Sequence, residues 1–315
     1  MRKRPLVLAT LAITTAAVAG ITGIATMASA HGSGSGHGTA PAPAPAGGAP
    51  ASAANAEFFT ADLNGRNEVP VAGGPAVGDQ DGKARTIVRI QGNQLCFTSE
   101  FKRIAPLTAG HIHAGAAGVN GAVKVAFFGS PLPGSLRAFT GCVTVDAATA
   151  DAIKADPGAH YVNLHSGEFP GGAVRGQLRK INGAADLLAP LRGRLVGLMD
   201  GAQETPTLGD ADGRATGFVR ASGGEIDYAF TWSGIGGPTK GHLHAGKVGV
   251  AGSIAADLFA SDAGLPASLT GVAGSVEASR DVIRGINDRP GNFYLNLHNA
   301  EFPGGAVRGQ LFRAS

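Results

Sequence analysis

Residues 159–178 read Ala-His-Tyr-Val-Asn-Leu-His-Ser-Gly-Glu-Phe-Pro-Gly-Gly-Ala-Val-Arg-Gly-Gln-Leu, and residues 292–311 repeat the pattern as Asn-Phe-Tyr-Leu-Asn-Leu-His-Asn-Ala-Glu-Phe-Pro-Gly-Gly-Ala-Val-Arg-Gly-Gln-Leu. Upstream of each stretch stands a His-x-His-Ala-Gly segment, at 111–115 and again at 242–246. The spacing between the two copies is much longer than the roughly 20–50 residues of a solenoid unit. The sequence therefore predicts two tandem copies of one domain.

Short apolar runs separated by turn signals fill both copies. Asp-Gly dipeptides, which favour tight turns, precede runs at 83–90 and 214–220. One helical pattern occurs in each copy, at 147–155 and 279–286. About eight short strands per copy predict an all-β protein of two tandem antiparallel Greek-key β-sandwich or barrel domains, each with one short helix.

The N-terminus has the three parts of a secretory signal peptide, which we place at residues 1–30. Arg2 to Arg4 are basic, an apolar stretch follows, and residues 28–30 (Ala-Ser-Ala) form a cleavage site of the A-x-A type. Because the apolar stretch is long for a signal, an uncleaved anchor is the alternative. No other segment is apolar for long enough to span a bilayer, so we expect no membrane span after cleavage.

Composition divides the rest of the chain. Residues 31–56 are rich in Gly, Ser, Pro and Ala and lack hydrophobic periodicity, which predicts a disordered linker. We expect the first domain at 57–180, a connector at 181–193 and the second domain at 194–315. The predicted signal places the protein outside the cell, secreted or associated with the cell wall.

The formal net charge of +3 belongs to the predicted signal. Of the 26 Lys and Arg residues three lie there, so 23 remain against 23 Asp and Glu. A near-neutral mature chain lacks the electrostatic footprint of a nucleic-acid-binding protein. We therefore expect an extracellular or cell-surface ligand and no nucleic acid.

Cys96 and Cys142 are the only cysteines of the chain, and both lie in the first copy. The corresponding positions of the second copy hold Asp227 and Ser275. Because both cysteines are missing there together, and an exported protein meets an oxidising compartment, we predict one disulfide between them. Two buried free thiols are the alternative.

Six of the nine histidines occupy matched positions in the two copies. They are His111, His113 and His165 in the first copy and His242, His244 and His298 in the second. Side chains at i and i+2 of a strand share a face, so each His-x-His pair can meet a third histidine from a neighbouring strand. Three neutral imidazoles suit copper or zinc and leave a coordination position for water or substrate. Hydrogen bonding to nearby backbone, without a metal, is the alternative role.

Charged residues follow the third histidine in each copy. Glu168 and Glu301 lie three residues beyond it and would serve as a fourth ligand or would hold a histidine in place. Arg175 and Arg308 point either toward the site or into solvent.

Two other shared features have a structural interpretation. The Pro-Gly-Gly runs at 170–172 and 303–305 are typical of turns. Glu68 and Glu204, each followed by x-Pro, are expected to be loop carboxylates that cap backbone amides.

These motifs resemble the CHRD family, whose domain was first described in chordin and is found widely in bacterial secreted proteins. The matching pieces are the opening at 67–70, the Gly-His-Ile-His-Ala-Gly centre at 110–115 and the ending at 163–178, with counterparts at 203–206, 241–246 and 296–311. The resemblance covers nearly everything from Phe58 to Arg313. It implies a β-rich extracellular domain.

A fainter similarity is to Cu,Zn superoxide dismutase, a Greek-key β-barrel that binds copper through a His-x-His and a late single histidine. The resemblance implies copper ligands at His111, His113 and His165 with Arg175 as an anion guide, and at His242, His244 and His298 with Arg308. That family's bridging histidine and zinc ligands are absent, because only His160 lies between the first-copy pair and the late histidine, and the second copy lacks its counterpart.

Two functions follow from these patterns. The first is an exported tandem-domain protein that acts as an extracellular binding or structural module and holds one metal per domain. The second is a copper-dependent, dismutase-like redox enzyme. No nucleophile elbow and no Gly-x-Gly-x-x-Gly loop supports a hydrolase or a nucleotide-binding enzyme.

Overall fold

A computed structural model describes residues 56–314 of the chain. The predicted signal at 1–30, and all of the predicted linker except its last residue, lie outside the described residues. The first repeat consists of β1 (Glu57–Asn64), β2 (Lys83–Gln91), β3 (Gln94–Lys102), β4 (Leu107–Ala114), β5 (Val123–Phe128), β6 (Leu136–Thr144), α1 (Ala147–Ala155), β7 (His160–Ser166), β8 (Val174–Gln177) and β9 (Arg179–Ile181).

The second repeat follows the same order. Its elements are β10 (Leu195–Asp200), β11 (Arg214–Ser222), β12 (Glu225–Ser233), β13 (Lys240–Ala245), β14 (Ser253–Ala260), β15 (Leu269–Glu277), α2 (Arg280–Asp288), β16 (Phe293–His298) and β17 (Val307–Arg313). Within residues 56–314, neither helix is long and apolar enough to cross a membrane.

Each repeat is one curled antiparallel sheet. The strand order is β5-β4-β7-β8-β1-β2-β3-β6 in the first repeat and β14-β13-β16-β17-β10-β11-β12-β15 in the second. Strands that are distant in sequence pair with each other, as β3 does with β6 and β4 with β7, in the manner of a Greek key. The predicted all-β fold with one short helix in each of two antiparallel repeats is confirmed.

The two halves of each sheet face each other across an apolar core. Phe97 of β3 stacks on Phe127 of β5, with ring centroids 4.1 Å apart, and Phe139 of β6 contacts Phe128 edge-on at 5.1 Å. Alternation along the strands supplies this core, since inward side chains such as Ile112 are fully buried. The neighbouring residues of the same strands project from the opposite face.

The repeats share a sheet. Strand β6 pairs antiparallel with β15, so that Ala138 lies opposite Ala273 and the ladder is continuous from one repeat to the other. Leu191 of the connector is buried on a small cluster of alanines at this seam, where Phe218 also packs. This pairing joins the repeats into one compact unit. It was not predicted from the sequence.

The predicted disulfide links the strands next to this seam. Cys96 on β3 lies directly opposite Cys142 on β6, and the two are bonded. In the second repeat the same ladder places Asp227 opposite Ser275. There Asp227 instead pairs with Arg220 of the adjacent strand, at 2.8 Å from Nε.

Candidate metal centre

Strand register places the three histidines of each repeat on one polar face. On the β4–β7 ladder His111 lies opposite Asn163, and His113 lies opposite Tyr161. Asn163 in turn lies opposite Arg175 on β8. Since directly opposed residues of antiparallel strands project to the same side, these side chains form two adjacent rows. His165 is two residues beyond Asn163 and therefore shares their face.

The imidazoles of the first repeat converge as the sequence predicted. His111 Nδ1 lies 3.2 Å from His165 Nε2, and the His111 and His113 rings are 5.6 Å apart. One ring nitrogen from each of the three residues falls within a group whose members are all within 4.8 Å of one another. Among residues 56–314, no carboxylate belongs to that group.

The second repeat reproduces this arrangement. His242 Nδ1 lies 3.0 Å from His298 Nε2, and His244 completes an equivalent group within 4.8 Å. His242 and His298 are each only 8 % exposed, whereas their counterparts in the first repeat are half-buried. All six matched histidines therefore lie in the two clusters.

Hydrogen bonds to backbone fix which nitrogen faces the cluster. His113 Nδ1 lies 2.9 Å from the carbonyl oxygen of Gly121, and His165 Nδ1 lies 3.0 Å from that of Pro170. A carbonyl only accepts, so each Nδ1 must carry the proton, and each Nε2 is left with a lone pair. His113 Nε2 is buried and has no hydrogen-bond partner.

The same pattern holds in the second repeat, where His244 bonds to the oxygen of Gly252 and His298 to that of Pro303. His244 Nε2 is again buried without a partner. The Pro-Gly-Gly turns thus do more than reverse the chain, because their proline carbonyls orient the third histidine.

A transition metal fits this donor set. Metal–nitrogen bonds of about 2.0–2.1 Å in a tetrahedral centre separate two ligand nitrogens by about 3.3 Å. The separations of 3.2 and 3.0 Å between paired histidine nitrogens are close to that value. The unpartnered Nε2 atoms of His113 and His244 supply the third donor of each set.

An arginine–tyrosine–histidine stack supports each cluster from behind. The His113 ring lies parallel to the Tyr161 ring at 4.8 Å, and the Arg175 guanidinium covers Tyr161 with its carbon 3.4 Å from the ring centre. His244, Tyr294 and Arg308 repeat the stack at 4.7 and 3.5 Å. The same three-residue stack is therefore present in both repeats.

The arginines hold a loop and do not face the mouth of the site. Arg175 is 1 % exposed and donates to the carbonyl oxygens of Ala116 and Val119 and to the side chain of Asn120. This loop contains the Gly121 carbonyl that orients His113. Of the two directions considered from the sequence, enclosure of the guanidinium excludes solvent, and Arg175 lies on the face of the histidines, where it reaches His113 through the Tyr161 ring. Because it is enclosed, it is not placed to guide an anion to the site.

Arg308 is enclosed on the same face in the second repeat, where it is 2 % exposed and donates to the oxygens of Lys247 and Val250. The expected role of Glu168 and Glu301, as a fourth ligand or as a group that holds a histidine in place, is not seen. Both carboxylates are exposed to solvent and neither joins a histidine group. The turn after each third histidine directs them outward.

Glu68 and Glu204, in contrast, reach the polar face. Asn296 Nδ2 lies 3.1 Å from Glu204 Oε2, and Asn163 Nδ2 lies 3.5 Å from Glu68 Oε2. The expectation that both cap backbone amides is wrong, because each contacts an asparagine side chain instead. Their matched positions and the matched Asn-Leu-His motif were the signal that this interpretation missed.

Burial controls the protonation of both kinds of group. Burial, followed by the neighbouring His165 and His113 rings, lowers the pKa of His111 to about 4, and burial together with His298 and His244 does the same for His242. The imidazoles are therefore neutral at neutral pH, as metal ligands must be.

Burial acts in the opposite direction on the carboxyl groups. It raises the pKa of Glu68 and of Glu204 to about 7, despite the opposing influence of Arg175 and Arg308. One carboxyl oxygen of each glutamate is buried without a hydrogen-bond partner.

The remaining histidine of the described chain is not part of either centre. His160 is buried, and its Nδ1 lies 2.9 Å from the carbonyl oxygen of Asp156. This agrees with its lack of a counterpart in the second repeat.

Comparison with protein-family models matches the CHRD domain twice, at residues 59–178 and at residues 195–311. No curated protein and no solved structure matches the chain.

Proposed function

The chain belongs to the CHRD family, whose domain occurs in it twice, and on that premise we propose that each repeat binds one copper or zinc ion through its three histidines. The protein would then act outside the cell as a tandem metal-holding module that presents an extracellular ligand-binding surface. His111, His113 and His165 would hold the first ion, and the second would be held by His242, His244 and His298.

The observation that carries this proposal is the unpartnered Nε2 of His113 and of His244. A buried nitrogen lone pair without a donor costs roughly 1–3 kcal/mol, and here the cost is incurred at the same point of both repeats. Histidines that served only to bond backbone would need one hydrogen bond each. In each of these residues Nδ1 already makes that bond, so the second nitrogen requires another explanation, and a metal ion supplies it.

The test is a titration of the full chain, purified without metal, with Cu²⁺ and separately with Zn²⁺. We expect about two ions per chain, and none bound tightly by the His113→Ala/His244→Ala double variant. A His160→Ala variant, which removes a buried histidine outside both clusters, is the control and should bind two ions. Binding that survives the double variant would reject the proposal.

A redox enzyme is the second candidate, favoured by one observation. Each described cluster supplies three nitrogens and no carboxylate, and three-ligand sites are typical of metal centres that also bind water or substrate. A bound copper ion would supply one-electron chemistry. The enclosed guanidinium of Arg175 argues against rapid guidance of an anion. Superoxide consumption by the copper-loaded chain, absent from the double variant, would favour the enzyme.

Export from the cell is also part of the proposal. The signal pattern at 1–30 and the disulfide, which forms readily in oxidising compartments, support it. Fractionation of the producing cells and N-terminal sequencing of the mature protein test it. We expect an extracellular or wall-associated chain that begins at His31, and an intracellular chain that begins at Met1 would reject this part.

A further inference from the structure

The two histidine clusters differ at one position next to the metal-facing rings. On the β13–β14 ladder Asp257 lies opposite His242, whereas on the β4–β5 ladder Ala126 lies opposite His111. Asp257 Oδ1 lies 3.4 Å from His242 Nε2. The first repeat therefore lacks a carboxylate that the second holds beside its ligand ring.

The contact is made by the nitrogen that does not face the cluster. His242 uses Nδ1 toward His298, so its Nε2 is directed outward to Asp257. A carboxylate at that place favours the tautomer with the proton on Nε2 and leaves the Nδ1 lone pair for a metal. In the other two histidines of the cluster, backbone carbonyls already have this role.

The first repeat leaves His111 without such a fixed proton. Its Nδ1 faces His165 Nε2 at 3.2 Å, and His165 carries its proton on Nδ1 toward Pro170. Without a metal, the tautomer that makes the hydrogen bond between the two rings places the His111 proton on Nδ1, facing the cluster. That proton must move to Nε2 before Nδ1 can bind an ion. The contact between His242 and His298 favours the same Nδ1 proton in the second repeat, but there Asp257 offers Nε2 a competing acceptor that His111 lacks.

Other charges near the second cluster oppose Asp257 only weakly. Lys240 lies opposite His298 on the β13–β16 ladder, where the first repeat has Ala109. Lys240 is exposed, so solvent screens its repulsion of a bound cation. Arg308 is held on the far side of the Tyr294 ring.

We propose that Asp257 is a positioning residue that orients His242 for metal binding and makes the second repeat the tighter of two unequal metal sites. The inference rests on the proposed function. Carboxylates that hold a ligand histidine commonly change metal affinity by about 10–100-fold. Because the Asp257 side chain is 80 % exposed, we expect an effect near the lower end of that range.

The affinity test uses the full chain with one cluster disabled at a time. His113→Ala leaves the second site and His244→Ala leaves the first, and each is titrated with Zn²⁺ against a competing chelator. In these backgrounds the residues are exchanged: Asp257→Ala should weaken the second site about 10-fold, and Ala126→Asp should strengthen the first. Asp262→Ala removes an exposed charge of the same repeat and serves as the control.

The orientation test needs no metal. Nitrogen-15 chemical shifts in the metal-free chain should report a larger share of the proton on Nε2 for His242 than for His111, and Asp257→Ala should move that share toward Nδ1. The proposal would be overturned if Asp257→Ala left the tautomer unchanged, or if the Asp257→Ala and Asp262→Ala variants bound Zn²⁺ with equal affinity. In either case, two ions bound per unmodified chain would still uphold the proposed function. No Zn²⁺ binding by the unmodified chain would remove the proposed function itself, and the tautomer measurement would still decide what Asp257 does to His242.

Discussion

The first repeat ties β3 to β6 by a disulfide, and the second repeat has at the same place an aspartate paired with an arginine of the next strand. Away from that ladder the repeats match closely, since each stacks a histidine, a tyrosine and an arginine in the same order. The strands far from the polar face thus tolerate different chemistry, whereas the three histidines and the stacked tyrosine and arginine of that face are the same in both repeats. This contrast supports the proposed metal-binding role of the polar face, and we expect the disulfide to contribute stability only.

The largest expected effect comes from disabling one repeat only. His113→Ala should weaken metal binding in the first repeat by more than about 100-fold, because it removes a ligand and not a neighbour of one. The second repeat should keep its ion, so the stoichiometry should fall from two to one. Calorimetric titration of His113→Ala and of its counterpart His244→Ala measures this, and loss of both ions in either variant would show that the repeats are not independent sites.

The disulfide is the next largest difference. It closes a loop of 46 residues, for which chain entropy gives about 4 kcal/mol of stabilisation. Cys96→Ala/Cys142→Ala should lower the free energy of unfolding by roughly 2–4 kcal/mol while metal stoichiometry stays at two. Urea denaturation with a parallel titration checks both, and a loss of bound metal in the folded variant would mean that the ladder and the polar face are coupled.

Two adjacent glycines of the second repeat differ in their surroundings, because only Gly305 is closely contacted by another residue. Gly305 has a φ of +141°, and a Cβ there would lie 2.6 Å from the Glu204 carboxyl group, whereas a Cβ at Gly304 would meet nothing within 4 Å. Strain and overlap together should make Gly305→Ala destabilising by about 2–4 kcal/mol.

The matched control is Gly304→Ala, for which we expect a change below about 1 kcal/mol. Thermal and urea unfolding of the two variants give the comparison. Equal stabilities would contradict the close approach of the Glu204 carboxylate to the turn.

The smallest effect concerns the pH dependence of stability. The pKa of Glu204 is raised by burial from 4.5 to about 7, so the folded state holds the proton more tightly than the unfolded state. The stabilisation from that proton is complete below about pH 4.5 and is lost as the pH rises through 7. Glu204→Gln is neutral at every pH and can donate to the unpartnered Oδ1 of Asn296.

Relative to the unmodified chain, Glu204→Gln should therefore gain about 1–3 kcal/mol in unfolding free energy between pH 4 and pH 8. The histidines titrate in both proteins, and their contribution cancels in the difference. Glu301→Gln, at an exposed carboxylate, should show no such trend. A difference that does not change with pH would mean that Glu204 is ionised in the folded protein.

Local sequence patterns predicted the elements well and side-chain directions poorly. Asp-Gly turns and alternation located the hairpin at 83–102, and α1 begins at Ala147 because Asp146 accepts a hydrogen bond from the Thr149 amide, a local cap that is legible in sequence. These features depend on neighbours within a few residues. The shared face of each His-x-His pair was predictable in the same way from its i, i+2 spacing, whereas the third histidine, 54 residues from His111 in the first repeat, was identified because its position is matched in both copies.

Features that depend on long-range packing were not predictable. Glu168 is close in sequence to His165 but is turned outward by the intervening turn, whereas Glu68 reaches the polar face from a loop 95 residues before Asn163. The pairing of β6 with β15 depends on how two folded repeats meet, and the small residues Ala138 and Ala273 that allow it carry no distinctive pattern. Tertiary contact, not local propensity, decided each of these cases.

The most direct test of the central claim is anomalous diffraction from crystals of the zinc-loaded full chain, measured on both sides of the zinc absorption edge. The account predicts two peaks per chain, each about 2.0–2.1 Å from one nitrogen of all three histidines in a cluster, with His113 Nε2 and His244 Nε2 among them. Peaks elsewhere in the chain, or clusters that stay without a peak while zinc is bound, would contradict it.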